Sequence, residues 1–260
     1  MRPKERCAVC KTRRWLSYGK SWWKCQECDL LKNKNKTGYE NDYYQKGVVK
    51  LSGWVTEFFY KDREKSLVGW DKSQLVVEIG YGNGQYLAWL KSRGWKVEGI
   101  ERDDWEKWNK IEAKKTMFLF YHSWEHVANP EEVIEQITRN TTTDSEVIIR
   151  LPVSDSWEFK MAKDNWFHCD PLHHEYVYST TNLIRQWKSY GWKLGGIKYG
   201  IPEFRQVMVY SWWSWLTGRE TKDREKRWLW LFLPLGVATS MIMANVFKNS
   251  GVVEVRFNHG

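Results

Sequence analysis

Short apolar runs alternate with amphipathic stretches along most of the chain. This pattern predicts strands at 75–79, 96–100, 118–121, 147–151, 193–199 and 252–257, and helices at 85–93 and 181–190. Strands that alternate with helices are typical of an α/β fold with a largely parallel sheet. We therefore expect an α/β, Rossmann-like doubly wound sheet, in which ligands bind beside the carboxyl ends of the strands.

The first of these strands runs into a glycine-rich turn. The strand carries Glu78, and Gly80, Gly82 and Gly84 follow it in the pattern E-x-G-x-G-x-G. Glycine adopts positive φ and has no Cβ, so a ligand can lie against the main chain at the helix N-terminus. Glu101 stands at the carboxyl end of the next strand, where it can accept hydrogen bonds from a ribose diol. The alternative for the glycines alone is a structural turn between strand and helix.

Three motifs, in this order along the chain, resemble one enzyme family. The glycine turn differs from the dinucleotide fingerprint G-x-G-x-x-G and is similar to motif I of the class I S-adenosylmethionine (SAM) dependent methyltransferases. Residues 121–130, YHSWEHVANP, resemble the family's hxLEHxxxP segment, and residues 170–179, DPLHHEYVYS, resemble its D-P-x-H-x-x-x-F/Y-S segment. The resemblance covers roughly residues 70 to 200 and is to the zinc-ribbon-bearing, ubiquinone-methyltransferase-like type.

The resemblance implies a SAM site and two candidate bases. By similarity, the cofactor-binding residues are Glu78, Gly80, Tyr81, Gly82, Asn83, Gly84, Glu101, His122 and Ser123. His126 follows the strand that approaches the methionine part of the cofactor in related enzymes, and His173 matches the family's histidine best. A histidine there can take a proton from a hydroxyl or an amine, because its pKa lies near neutral pH. The alternative is that Glu125 and His126 only hydrogen-bond the loops around the cofactor.

The N-terminal region is rich in cysteine and in positive charge. Cys7-x2-Cys10 and Cys25-x2-Cys28 are separated by fourteen residues. This spacing favours a structural, tetrahedral Zn²⁺ site in a zinc ribbon, with redox or disulfide cysteines as the alternative. Residues 1–36 contain eleven Lys/Arg and three Asp/Glu, which is +8 of the chain's formal +9. The basic ribbon therefore either binds nucleic acid or uses zinc in place of a core too small to fold by itself.

We divide the sequence into three parts: a zinc ribbon at 1–36, a linker and cofactor-covering helix at 37–70, and a SAM-dependent methyltransferase domain at 71–260. The stretch at 102–117 is too short for the helix, edge strand and loop that the family places there. We therefore expect the edge strand, which usually carries the acid near the adenine, to be short or absent. The loop at 138–145 lacks the family's LxPGG turn. These departures keep open a binding protein that retains the fold without turnover.

An uncharged element, 228–247, precedes the last predicted strand. The element is long enough to span a membrane, but Pro234 and Gly236 interrupt its apolar sequence. A single crossing would also place the last strand on the wrong side of the bilayer. A monotopic helix or an apolar wall that closes the substrate pocket fits better. Five tryptophans between 212 and 230 suit an interfacial position. Peripheral membrane contact through 212–247 is therefore one interpretation, and a pocket wall is the other.

The expected function is SAM-dependent methyl transfer to a small-molecule, sugar or lipid-linked acceptor, with SAM as cofactor and zinc in a structural role. The start of the chain lacks the apolar segment of a secretory signal, so we expect a cytoplasmic protein. If residues 212–247 contact a membrane, the protein would be peripheral at the membrane surface. The first alternative is an RNA or protein methyltransferase that uses the basic N-terminus for binding. The second is a catalytically inactive binding protein with the methyltransferase fold.

Overall fold

The computed structural model describes residues 3, 5–35, 53–101, 115–203, 205, 207–219 and 227–260. The strands are β1 (Trp15–Tyr18), β2 (Trp22–Cys25), β3 (Leu31–Asn33), β4 (Leu75–Ile79), β5 (Lys96–Ile100), β6 (Thr116–Tyr121), β7 (Glu146–Pro152), β8 (Tyr176–Val177), β9 (Trp192–Lys198) and β10 (Val252–His259). The helices are α1 (Gly53–Glu64), α2 (Gln85–Ser92), α3 (Pro130–Arg139), α4 (Trp157–Ala162), α5 (Thr180–Lys188), α6 (Val207–Thr217) and α7 (Leu233–Asn245). Short 3₁₀ turns cover Lys65–Leu67, Trp124–His126, Lys163–Asn165 and Arg227–Phe232.

The larger sheet has six strands in the order β5-β4-β6-β7-β10-β9. Strand β4 pairs in parallel with β5 and β6, and β6 pairs in parallel with β7. Every residue of β6 is buried, as expected for a parallel strand whose two faces are both covered. The expected α/β methyltransferase sheet is therefore confirmed, as a mixed sheet. Residues 102–114, in the stretch where the family places its edge strand, lie outside the described residues, so the expectation that this strand is short or absent stays a prediction.

The smaller sheet has four strands in the order β1-β2-β3-β8. The pairings β1 with β2, β2 with β3 and β3 with β8 are all antiparallel. The sequence predicted a zinc ribbon here, and β1 and β2 form its hairpin. It did not predict that a third ribbon strand pairs with residues from the second half of the chain, Leu31 opposite Val177.

The described chain divides into two compact units. Unit 1 contains Met1–Gly38, Leu151–Gln186 and Ile197–Glu254, and unit 2 contains Tyr39–Arg150, Trp187–Gly196 and Val255–Gly260. The predicted division at residues 36 and 70 stays a prediction. Within the described residues, no helix combines the length and the apolar character needed to cross a bilayer.

Many of the chain's tryptophans are buried in the cores of these units. In unit 2, the ring centroid of Trp187 lies 5.2 Å from that of Trp124 and 5.4 Å from those of Trp192 and Phe257. In unit 1, Trp22 and Trp166 are buried in a cluster that joins the ribbon to α4 and α6. Aromatic pairs at these separations contribute about 1 kcal/mol each beyond the area they bury.

Candidate functional site

The turn between β4 and α2 requires its glycines. Gly80, Gly82 and Gly84 have φ values of 71°, 58° and 70°, a region that side chains other than glycine rarely adopt. A Cβ on Gly80 would lie 2.7 Å from the Cβ of Ser123. The Gly80 amide donates to the carbonyl of Ile100 at 2.8 Å. The turn is therefore held against the ends of both neighbouring strands, as a ligand-binding turn in this fold should be.

The other residues predicted to bind the cofactor near this turn hold its backbone in place. Glu101, just after β5, accepts a hydrogen bond from the Gly82 amide at 3.2 Å through its Oε1. The Asn83 side chain accepts from the Gln85 amide at 3.1 Å, which satisfies one of the free donors at the start of α2. The ring of Tyr81 fills the space beside Gly99, where a Cβ would lie 2.6 Å from the ring. The turn after β4 therefore packs against the carboxyl end of β5.

Glu78 is the unusual group at this edge. Its side chain is buried, and among the described residues its Oε2 has no hydrogen-bond partner. Burial raises the pKa of Glu78 to about 8, although Arg63 acts to lower it, and Glu101 adds to the increase. A buried carboxyl without a full set of partners costs free energy unless a ligand or a cation completes it.

The end of β6 adds a strained histidine. His122 has a φ of 56°, which is uncommon for a residue with a side chain and is often found at functional sites. Its amide donates to the Arg150 carbonyl at 2.9 Å. Ser123 donates its hydroxyl to the Ile79 carbonyl at 2.6 Å. Ser123 therefore ties the end of β6 to the glycine turn.

Glu125 and His126 lie in the 3₁₀ turn Trp124–His126 and not in helix α3, which follows it. The reason is Pro130, which starts α3 as its first residue and disfavours helical backbone in the residue before it. Both side chains are buried, and burial raises the pKa of Glu125 to about 8. An Oε1 of Glu125 lies 3.9 Å from Nδ1 of His122.

His173, the second candidate base, belongs to unit 1. Its Nδ1 lies 2.7 Å from Oδ2 of Asp170, and 17% of its side chain is exposed. The ribbon holds the segment that carries it: the Asn33 amide group donates to the carbonyls of Pro171 at 2.7 Å and His174 at 2.9 Å. The orientation of this histidine thus depends on the ribbon.

Helix α1 supplies charged residues that the sequence did not single out. Arg150 is fully buried in β7 and lies 3.2 Å from Asp62 of α1. The Arg63 guanidinium lies 4.8 Å from the ring centroid of Tyr121 and 5.3 Å from that of Tyr86. These contacts join residues from distant parts of the chain, so no local pattern indicated them.

The four ribbon cysteines meet in one cluster. Their sulfur atoms all lie within 4.8 Å of one another, with Cys7 and Cys28 at 3.5 Å and Cys10 and Cys25 at 3.4 Å. Tetrahedral Zn²⁺ with sulfur ligands at about 2.3 Å needs sulfur atoms about 3.8 Å apart. Burial raises the pKa of the Cys25 thiol to about 11, and a bound Zn²⁺ would instead favour the thiolate. The cluster therefore fits a closed, structural zinc site.

Comparison with known proteins gives one family and a set of similar folds. Residues 49–195 match the family model described as "Methyltransferase domain". No curated protein sequence matches the chain. The structure of the Haloferax volcanii Trm112 methyltransferase activator in complex with a methyltransferase is similar at 11% identity and a TM-score of 0.51, covering 84% of this chain and 96% of that one.

Two further structures are similar at lower scores. A SAM-dependent methyltransferase from Archaeoglobus fulgidus has 13% identity and a TM-score of 0.48, with 78% of this chain and 93% of that chain covered. Phosphoethanolamine N-methyltransferase 2 from Haemonchus contortus, in complex with SAM, has 11% identity and a TM-score of 0.49, with 88% and 61% covered. At these identities the likeness concerns the fold alone.

The family match covers more than half of the chain and includes the glycine turn, Glu101 and the turn that follows β6. This is the part of the chain in which the strand ends bring the buried carboxyl, the glycines and the strained histidine to one edge of the sheet. On the match and on the fold together, this chain belongs to the SAM-dependent methyltransferase family.

Proposed function

We propose that this protein transfers the methyl group of SAM to a small or amphipathic acceptor, such as a small molecule, a sugar or a lipid-linked intermediate, in the cytoplasm. The observation that carries the proposal is Glu78, a buried carboxyl whose Oε2 lacks a hydrogen-bond partner among the described residues, at the start of the glycine turn. Such an atom is accounted for if a ligand completes the site.

The residues present fit SAM. SAM has cationic sulfonium and ammonium groups, which complement carboxylates, and a ribose diol, whose hydroxyls donate to a carboxylate. The turn at 80–84 offers backbone without side chains at its positive-φ positions, and Glu101 is already oriented by the Gly82 amide at 3.2 Å. We assign the cofactor to Glu78, Glu101 and this turn, with His122 and Ser123 at the neighbouring strand end.

When bound, SAM supplies an electrophilic methyl group on a positively charged sulfur. The chain's own residues position the acceptor and remove its proton. His126 is the first candidate base, because it follows β6 in the same unit as the cofactor residues. His173 is the second: if its Nδ1 donates to Asp170 at 2.7 Å, its Nε2 is the nitrogen that can accept a proton.

The ribbon's own packing supports a structural role for it over a nucleic-acid-binding role. Trp15 and Trp22 are 1% exposed, so their rings cannot stack on unpaired bases, as the aromatic residues of nucleic-acid-binding surfaces do. Trp23 is covered by the ammonium group of Lys34, 5.1 Å from its ring centroid. Zinc would then stabilise a ribbon that supports the segment around His173.

The first test is calorimetric titration of the zinc-loaded protein with SAM and with S-adenosylhomocysteine. Glu101→Ala should weaken binding about tenfold or more, because it removes a charged hydrogen-bond acceptor from the site. Glu98→Ala is the matched control: Glu98 lies on β5, three residues before Glu101, but is exposed, and its removal should leave binding unchanged. Absence of SAM binding by the intact protein would refute the proposal.

The second test separates the two candidate bases. Methyl transfer from labelled SAM should fall about 100-fold or more in kcat when the true base is replaced by alanine, with SAM affinity retained. His126→Ala and His173→Ala are compared in the same acceptor screen. If neither change reduces kcat, proton removal does not involve these histidines. Binding of RNA that weakens steeply with salt would instead favour a nucleic-acid acceptor.

A further inference from the structure

Helices α6 and α7 come from a part of unit 1 with an unusual distribution of charge. Residues 207–218 and 228–247 contain no Asp, Glu, Lys or Arg, and the segment 219–227 between them is rich in both signs. Helix α6 has eleven residues and α7 has thirteen. At 1.5 Å per residue these helices are about 16 and 20 Å long, too short for a hydrocarbon core of about 30 Å.

The two helices pack against each other through small residues. The buried residues of α7 are Gly236, Ser240 and Ala244, which are spaced by four and so share one face. A Cβ on Gly236 would lie 2.2 Å from Cγ2 of Val209, so the backbone of α7 lies close to α6. Close packing through small residues at this spacing is typical of helix pairs in lipid.

The outer surface of the pair is made of large apolar side chains. Leu235 is 59% exposed, Ile242 53% and Val246 68%. Trp215 and Leu216, at the end of α6, are 62% and 72% exposed. An amphipathic helix on a water-facing surface has the opposite arrangement, with large apolar residues inside and polar residues outside. Large exposed apolar side chains in this number are typical of a binding face.

The charges that flank this surface indicate what covers it. Residues 205–248 contain seven Lys/Arg and three Asp/Glu, a net charge of +4, and all three acids lie in the segment 219–227. Lys248 follows the exposed Phe247 directly. Arg219, just after α6, and Lys248, just after α7, are exposed, and exposed cations beside apolar side chains complement an anionic membrane surface. A second copy of the chain would bring the same positive charge to the contact, which disfavours self-association.

We propose that α6 and α7 form a docking surface for anionic phospholipid membranes, defined by the exposed residues Trp215, Leu216, Leu235, Ile242 and Val246. The apolar side chains enter the boundary between headgroups and acyl chains, and Arg219 and Lys248 contact the lipid phosphates. Neither helix crosses the bilayer. The proposal concerns unit 1 alone and does not depend on SAM binding.

The test is co-sedimentation of the full-length, zinc-loaded protein with phosphatidylcholine vesicles, with and without phosphatidylglycerol. The wild-type protein should bind the mixed vesicles and lose binding at high salt. Val246→Asp should weaken binding about tenfold or more, because an apolar contact is replaced by a charge that lipid phosphate repels. Val68→Asp is the matched control: Val68 is 74% exposed and lies in unit 2, so binding should be unchanged.

Thermal unfolding and SAM titration are measured on the same samples, so that a failure of membrane binding is distinguished from misfolding or from the loss of cofactor binding. Absence of wild-type binding to the mixed vesicles would overturn the proposal. Binding of Val246→Asp equal to that of the wild type would also overturn it. A discrete dimer in lipid-free sedimentation, dissociated by Val246→Asp and accompanied by no vesicle binding, would assign the surface to a second copy and also overturn it.

Discussion

If SAM binds beside the buried Glu78, as proposed, its binding should be coupled to the release of a proton. Burial raises the pKa of Glu78 to about 8, so at pH 7 about nine molecules in ten carry the proton. A cation placed beside a carboxyl favours the ionised form and lowers its pKa. Binding of the cationic cofactor should therefore release about 0.9 proton per SAM at pH 7.

The same linkage fixes the sign and size of the pH dependence. Because the ionised carboxylate binds the cation better, SAM affinity should increase as pH increases toward 8. The ionised fraction of a group with a pKa of about 8 rises from about 0.01 at pH 6 to about 0.5 at pH 8. The affinity should therefore increase about 50-fold over this range.

The assay is calorimetric titration at pH 7 in buffers with different enthalpies of ionisation. The slope of the observed enthalpy against the buffer enthalpy gives the number of protons released. Glu78→Gln keeps the shape of the side chain and cannot ionise. Its slope therefore gives the number of protons released by all other groups, including those of SAM itself. A wild-type slope equal to that of Glu78→Gln, or an affinity that falls between pH 6 and pH 8, would refute the reasoning.

Three further predictions concern the supports of the site. Gly80→Ala should abolish measurable SAM binding and cost about 1–3 kcal/mol in the free energy of unfolding, because its φ is 71°; urea unfolding measures the cost. Asp62→Ala should cost about 3–5 kcal/mol by the same method, since it leaves the fully buried Arg150 guanidinium without its 3.2 Å carboxylate contact. Asn33→Ala should cost about 1–3 kcal/mol by removing two side-chain hydrogen bonds. In that variant, hydrogen exchange of the backbone amides should increase at 170–177 and not in β4. Equal exchange at 170–177 in Asn33→Ala and in the wild type would contradict a supporting role for the ribbon.

The glycine turn and the central strands could be predicted because their causes are local. A strand buried on both faces is a largely apolar run, as β4, β6 and β7 are, with Glu78 and Arg150 among the exceptions, and a turn with repeated positive φ needs repeated glycine. The cysteine spacing was equally informative, since two knuckles at this separation suit one tetrahedral ion. Each of these patterns is contained in a short stretch of sequence.

The parts that could not be predicted depend on contacts between distant residues. The pairing of β3 with β8 joins Leu31 to Val177, and the Asp62–Arg150 contact joins α1 to β7. A three-residue and a two-residue strand are too short to leave a periodic pattern in the sequence. The positive φ of His122 also had no local signal, because histidine is common in ordinary backbone conformations.

The pairing of β3 with β8 also sets an order for folding during synthesis. All four cysteines of the ribbon cluster have been made once residue 28 has been added, so a metal ion bound by them would close the cluster early. The third ribbon strand, however, pairs with residues more than 140 positions later, across the sequence separation of 141 between Asn33 and His174. Until those residues leave the ribosome, β3 presents an unpaired edge, which is the kind of surface that chaperones and other chains bind. The N-terminal module therefore has all four of its cysteines early, but it completes its sheet only when most of the protein has been translated.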